Sequence, residues 1–167
     1  MNRQVIINAD DFGLSPAVNR GIIEAYRAGG ITSTSMMVNM PGLADAVHAA
    51  RSLPGLGVGL HFNLTYGRPL SDPAAVPSLV RENGQFLDGK IRRSRNAADV
   101  AAELDAQWNR FLGTSLFPTH LDSHQLLHQD DPVIYRVMAE LACRHRIPLR
   151  RSQIEHPHLS PPALKMT

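Results

Sequence analysis

One unit recurs along this chain and constrains its fold more than anything else in the sequence. A short run of β-forming residues ends in a polar cluster, a Gly or Pro breaks it, and apolar residues at helical spacing follow. In the first copy, residues 3–9 (Arg-Gln-Val-Ile-Ile-Asn-Ala) predict a buried strand that delivers Asp10 and Asp11 at its carboxyl end. Ser15-Pro16 then reads as N-cap and first helical position, and Val18, Ile22, Ala25 and Tyr26 keep a helical period up to Gly29-Gly30. In the second copy, Thr32 to Met40 is rich in β-formers and Met, Pro41-Gly42 breaks it, and Leu43, Ala46, Val47 and Ala50 mark the helix.

Gly57 to Leu64 predicts a third strand, with Val58, Leu60, Phe62 and Leu64 on one face and Gly59, His61 and Asn63 on the other. Residues 66 to 96 are punctuated by Gly and Pro without a sustained period and read as a long surface excursion, with a short hairpin around Asn83-Gly84. Asn96 or Asp99 starts a helix through Val100, Leu104, Trp108, Phe111 and Leu112 to Gly113. Residues 118 to 124 are expected to be extended, which puts His120, Asp122 and His124 on one side. Asp130-Asp131-Pro132 caps a helix from Val133 to Arg146, and Ile147-Pro148-Leu149-Arg150 would begin a fifth strand. The turn-rich tail from His156 to Pro162 predicts no element.

Strands alternating with helices argue an α/β fold with a parallel sheet and right-handed crossovers. A closed eight-stranded barrel wants about 250 residues, so a barrel-like reading of these 167 residues implies an incomplete one. We expect a single domain spanning residues 1–167. Hydrophobic residues at 43 % against 19 % charged exclude a wholly disordered chain. The net charge of +2 is scattered apart from Arg92, Arg93, Arg95, Arg150 and Arg151, and aromatics are only 5 %, which argues against nucleic-acid binding. Cys143 is the single cysteine and is expected to be a buried structural thiol. The apolar run Val5-Ile6-Ile7 is too short for a signal peptide or membrane span, so a cytoplasmic location is expected.

Polar groups collect at four expected strand ends: Asp10-Asp11, Asn39, His61 with Asn63, and His120, Asp122 and His124. In parallel α/β architectures those ends carry function, and this density of imidazole and carboxylate suits a divalent cation. Adjacent carboxylates suit a division of labour, one binding the cation and the other taking a proton from water. His61 is favoured as a ligand because its face carries Gly59 and Asn63. His128 is open between ligand, general acid and solvated residue, and His48, His145, His156 and His158 read as solvated. No Gly-x-Ser-x-Gly elbow or Walker-type loop is present.

Asn8-Ala9-Asp10-Asp11-Phe12-Gly13, Thr32-Ser33-Thr34-Ser35-Met36-Met37 through Pro41, Gly57 through Thr65, and Thr119-His120-Leu121-Asp122-Ser123-His124 resemble, in order, the motifs of the YdjC-like carbohydrate deacetylases. That family includes the chitooligosaccharide deacetylases and the hopanoid-associated HpnK group. The resemblance covers residues 5 to about 150. It implies a (β/α) barrel-like fold and metal-dependent removal of an N-acetyl group from an amino sugar, chitooligosaccharide-like or glycolipid-linked. Carried over by position, it implies Asp11, His61 and His124 as ligands of a divalent cation (Mg or Zn), Asp10 as general base, and His128 as the acid protonating the departing amine. Asn39, Asn63 and Asp122 are expected to contact the substrate, and a homo-oligomer is a possible assembly. Members often carry His where this chain has Leu126, and they continue beyond this length. The accompanying expectation is a truncated member, with a catalytically impaired fragment or a metal-binding subunit as the alternative.

Overall fold

The computed structural model describes residues 5–89 and 94–151. Strands β1 (Asn8–Phe12), β2 (Ser33–Met36), β3 (Gly57–Phe62) and β4 (Leu121–Ser123) form one parallel sheet in the order β1-β2-β3-β4. Helices α1 (Pro16–Arg27), α2 (Leu43–Arg51) and α3 (Ala97–Leu112) connect them, and α4 (Leu127–Asp130) and α5 (Pro132–His145) follow β4. The fold is therefore α/β with a parallel sheet, as the alternating pattern predicts. The expected fifth strand is a rudiment. Leu149 pairs with Leu121 in parallel, Leu121 N–H donates to the Pro148 carbonyl, and Arg150 N–H donates to the Leu121 carbonyl, both at 2.9 Å.

The helices begin where side chains satisfy their first amides. Ser15 Oγ accepts from Val18 N–H, Asn96 Oδ1 from Ala98 N–H, and Asp131 Oδ1 from Val133 and Ile134 N–H. Along β3 the pleat separates two environments: Val58, Leu60 and Phe62 are buried in the core shared with the helices, while Gly59 and His61 point to the other side. There the backbone of Gly59 lies directly against the His120 ring, leaving no room for a Cβ. The sheet also curls. Asp10 on β1 and Arg150 beyond β4 belong to opposite edges of the strand order, yet their side chains meet at 3.0 Å. This is the curvature of a partial barrel, with the polar face inside.

Four expectations need correction. The first strand starts at Asn8, and Val5 and Ile6 are 71 % and 80 % exposed because no described strand pairs outside them. Residues 66–96 are not a surface excursion throughout. Val76, Leu79 and Phe86 are buried, Val80 pairs antiparallel with Phe86 around the Asn83-Gly84 turn, and the segment is tied to α3. Cys143 is exposed, because the buried stripe of α5 ends at Leu141 and Ala142, and one residue further lies about 100° round the helix. His145 is not simply solvated, since its ring packs on Trp108 with centroids 4.5 Å apart. Arg92, Arg93 and the tail with His156 and His158 lie outside the described residues.

Candidate metal centre

Adjacent residues of a regular strand point to opposite faces, so Asp10 and Asp11 could not serve one site from an ideal β1. A bulge removes the obstacle. Ala9 pairs with Thr34 and Phe12 with Met36, so β1 carries one residue more than β2 over this stretch, and Asp11 adopts a left-handed conformation with φ 70°. Gly13 follows at φ 90°, where a Cβ would lie 2.5 Å from the Met37 carbonyl oxygen, and its N–H donates to Asn19 Oδ1. The strand end is thus turned back toward the sheet interior. A similar device sits at the other edge, where the chain leaves His124 through Gln125 and Leu126, both left-handed at φ 56° and 54°. Left-handed Leu is uncommon, and strain of this kind concentrates at functional sites.

Between these two turns the donors converge. Single donor atoms of Asp11, His61 and His124 all lie within 4.8 Å of one another. Asp11 Oδ1 is 2.9 Å from His124 Nδ1 and 3.2 Å from His61 Nε2. His61 is 1 % exposed, and its Nδ1 is 2.6 Å from Asp122 Oδ1. An ionised carboxylate only accepts, so Nδ1 carries a proton, and in the neutral ring Nε2 presents a lone pair. That Nε2 is buried without a hydrogen-bond partner. Carboxylate, imidazole and an unsatisfied nitrogen in line form the arrangement in which a histidine ligand is oriented from behind. The donor chemistry and the orphaned nitrogen both fit a divalent cation.

The electrostatics agree. The hydrogen bond to His124, then the close approach of the His61 ring, holds the Asp11 carboxyl far below its ordinary range. Burial alone would pull His61 down, but the Asp11 and Asp122 carboxylates beside it push its pKa up to about 9. Burial pushes Asp122 up, yet its hydrogen bond to His61 prevails and its pKa is lowered. Without a cation, protons on imidazole fill the place that a cation fills.

The other expected site residues are distributed differently. Asp10 is beside the cluster, hydrogen-bonded by Asn8 Nδ2 at 2.8 Å and paired with Arg150. Asp122, an expected substrate contact, is fully buried and bonded to His61, Ser35 and Arg150, which places it behind His61. Asn63, also an expected substrate contact, is enclosed as well. It has no exposed surface, and its amide binds the Thr65 and Tyr66 backbone and reaches Asn39 at 3.2 Å, which makes it the organiser of a loop. Asn39 is half-buried and donates to the Arg68 carbonyl.

His128 is buried rather than solvated, and it is not in the donor cluster. Its Nδ1 meets Ser123 Oγ at 2.6 Å and its Nε2 meets the Arg150 carbonyl at 3.2 Å, so both nitrogens are engaged and the expected acid role finds no free nitrogen. Sequence reasoning did not single out Ser35, which joins Asn8, His120 and Asp122, or Arg150 as a partner of Asp10. The period-2 pattern of β2 is the signal that puts Ser35 on the inner face.

The model of the YdjC-like protein family matches residues 4–165. Among curated relatives, a carbohydrate deacetylase from Geobacillus stearothermophilus is 46 % identical over 162 residues, covering 96 % of this chain and 64 % of the relative. A chitooligosaccharide deacetylase from Serratia marcescens is 42 % identical, covering 93 % of this chain and 62 % of the relative. A crystal structure from Enterococcus faecalis V583, described as a cellobiose-phosphate cleavage protein, superposes with a TM-score of 0.88 at 39 % identity, over 93 % of this chain and 61 % of that one. The chain spans a little over three fifths of the length of these relatives.

Proposed function

The chain belongs to the YdjC-like protein family, and from that premise we propose that it hydrolyses the N-acetyl group of an acetylated amino sugar, chitooligosaccharide-like or glycolipid-linked. The observation that carries this reading is the buried His61 Nε2, which has no hydrogen-bond partner and lies 3.2 Å from Asp11 Oδ1 at a site shared with His124. Those three residues would hold a divalent cation. Two imidazoles against one carboxylate suit Zn better than Mg, which prefers oxygen donors. The cation, when bound, supplies the Lewis acidity that acidifies a water molecule and polarises the acetamide carbonyl.

The chain's own residues divide the remaining work. Asp122 holds the His61 ring with Nδ1 protonated, which keeps the Nε2 lone pair on the site. Asp10, 37 % exposed and next to the cluster, takes the proton from the attacking water as general base. Water oxygen bonds to the carbonyl carbon, the C–N bond breaks, and the proton carried by Asp10 passes to the departing amine. Acetate and a free amino sugar are the products. Ser35 donates to Asp122 Oδ2 at 2.7 Å and so keeps that carboxylate turned toward His61. His128 has no part in the proton transfer, because its nitrogens are occupied by Ser123 and Arg150.

Acetate release from N-acetylglucosamine oligomers tests the proposal. Release is expected to disappear with a chelator, and in Asp10→Asn to fall by about 10³-fold with cation binding intact. Release that survives chelation would refute metal dependence. Cation binding with no release from any acetylated sugar would sink the hydrolase reading and leave a cation-binding domain.

A further inference from the structure

Asp10 is poorly restrained by its own surroundings. It sits in a bulge, more than a third exposed, and its one neutral donor, Asn8 Nδ2, reaches a single oxygen. Arg150 supplies what is missing: its Nη1 lies 3.0 and 3.2 Å from the two oxygens of Asp10 and 3.2 Å from Asp122 Oδ2. The guanidinium therefore ties the carboxylate beside the cation site to the carboxylate that orients His61. It also balances charge. Asp10, Asp11 and Asp122 bring three negative charges to two donor groups that share His61, and a divalent cation neutralises only two of them.

The main chain of Arg150 is itself anchored. Its N–H donates to the Leu121 carbonyl on β4, and its carbonyl faces His128 Nε2. A carbonyl only accepts, so His128 carries its proton on Nε2 and accepts at Nδ1 from the Ser123 hydroxyl. Burial lowers the His128 pKa and favours this neutral form. Ser123 and His128 thus hold the backbone from which the Arg150 side chain reaches across the curled sheet.

We propose that Arg150 is the positioning residue of Asp10, fixing its carboxylate against the cation site, with His128 acting one step behind by pinning the Arg150 carbonyl. The inference rests on the assignment of Asp10 as the base. The side chain of Arg150 acts through the two carboxylates it contacts, Asp10 and Asp122.

The test uses Arg150→Ala, Arg150→Lys and Arg150→Ala combined with Asp10→Asn. Acetate release, Zn affinity by calorimetry and crystal structures of the parent and Arg150→Ala are measured. In Arg150→Ala, kcat is expected to fall by about 100-fold while KM and Zn affinity change by less than about threefold. Added guanidinium restores part of kcat, and Arg150→Lys is intermediate, because an ammonium keeps the charge but reaches less far than the Nη1 that touches both carboxylates. The double variant is expected to be no slower than Asp10→Asn alone. A kcat within about threefold of the parent, or losses that multiply in the double variant, overturns the proposal. If the parent itself releases no acetate, the deacetylase reading fails and the structures decide this inference alone. Displacement of the Asp10 carboxylate in Arg150→Ala by about 1 Å or more, a change of rotamer, supports it, and an Asp10 held in place by Asn8 overturns it.

Discussion

Two buried polar networks in this molecule look alike in the sequence and differ in their bookkeeping of hydrogen bonds. The first, on α3, is closed. Glu103 is fully buried and accepts from the Leu70 and Ser71 amides and from Gln107 Nε2, while Gln107 exchanges hydrogen bonds with both backbone groups of Asn63. Asp99, one turn earlier, accepts from Ser78 N–H. Spaced four residues apart, these three side chains form one stripe of α3 that fastens the segment after β3. The second network, around His61, leaves Nε2 without a hydrogen-bond partner and gathers two further donor side chains, Asp11 and His124, beside it. Buried polar groups are expensive when unsatisfied, so a closed network is read as architecture and an open one as a binding site.

The sharpest test of this contrast is Asp122→Asn. It removes the charge behind His61 and is expected to weaken cation binding by about 10- to 100-fold, measured by calorimetry, while the folded state persists. Comparable loss of stability with unchanged affinity would dissolve the distinction. Glu103→Gln makes the opposite prediction. An amide group then faces one of the two backbone N–H groups, costing about 2 kcal/mol in a denaturation experiment, with no change in cation affinity of the folded protein.

The pH dependence sharpens the comparison further, because among the described residues only the open network has an imidazole held up to about 9. A cation must displace that proton, so affinity is expected to rise roughly tenfold per pH unit from about 7 toward 9 and then level off. The sign for stability is the reverse. His61 is raised from 6.5 when the cation is absent, so its contribution is present in full below 6.5 and is lost as pH rises through about 9. Cation-free protein that gains stability over this interval would contradict the protonated His61.

The strands and helices were legible because their signals are local. The β-branched runs, the Ser15, Asn96 and Asp131 caps, and the alternation of Val58, Leu60 and Phe62 with Gly59 and His61 each follow from neighbours a few residues apart. From these the parallel α/β order and a gathering of polar groups at the strand ends could be expected, while the particular set Asp11, His61 and His124 came with the family resemblance. The α3 stripe is written as acidic and amide residues at helical spacing, but such residues also make an ordinary solvated face, and only the loop packed on them buries Asp99, Glu103 and Gln107.

What the chain order could not decide was set by closure of the curved sheet. The bulge that turns both Asp10 and Asp11 inward depends on pairing with β2. The burial of Asp122 and His128 depends on the segment after α5, which brings Arg150 onto β4. Arg150 meets Asp10 across a separation of 140 residues, a contact that no local period encodes. Local sequence determined which residue types could ligate and, along β3, the side on which His61 stands. The tertiary curl decided which carboxylates remain at the site and which are enclosed behind it, because only there do charges from opposite edges of the sheet come within hydrogen-bonding reach.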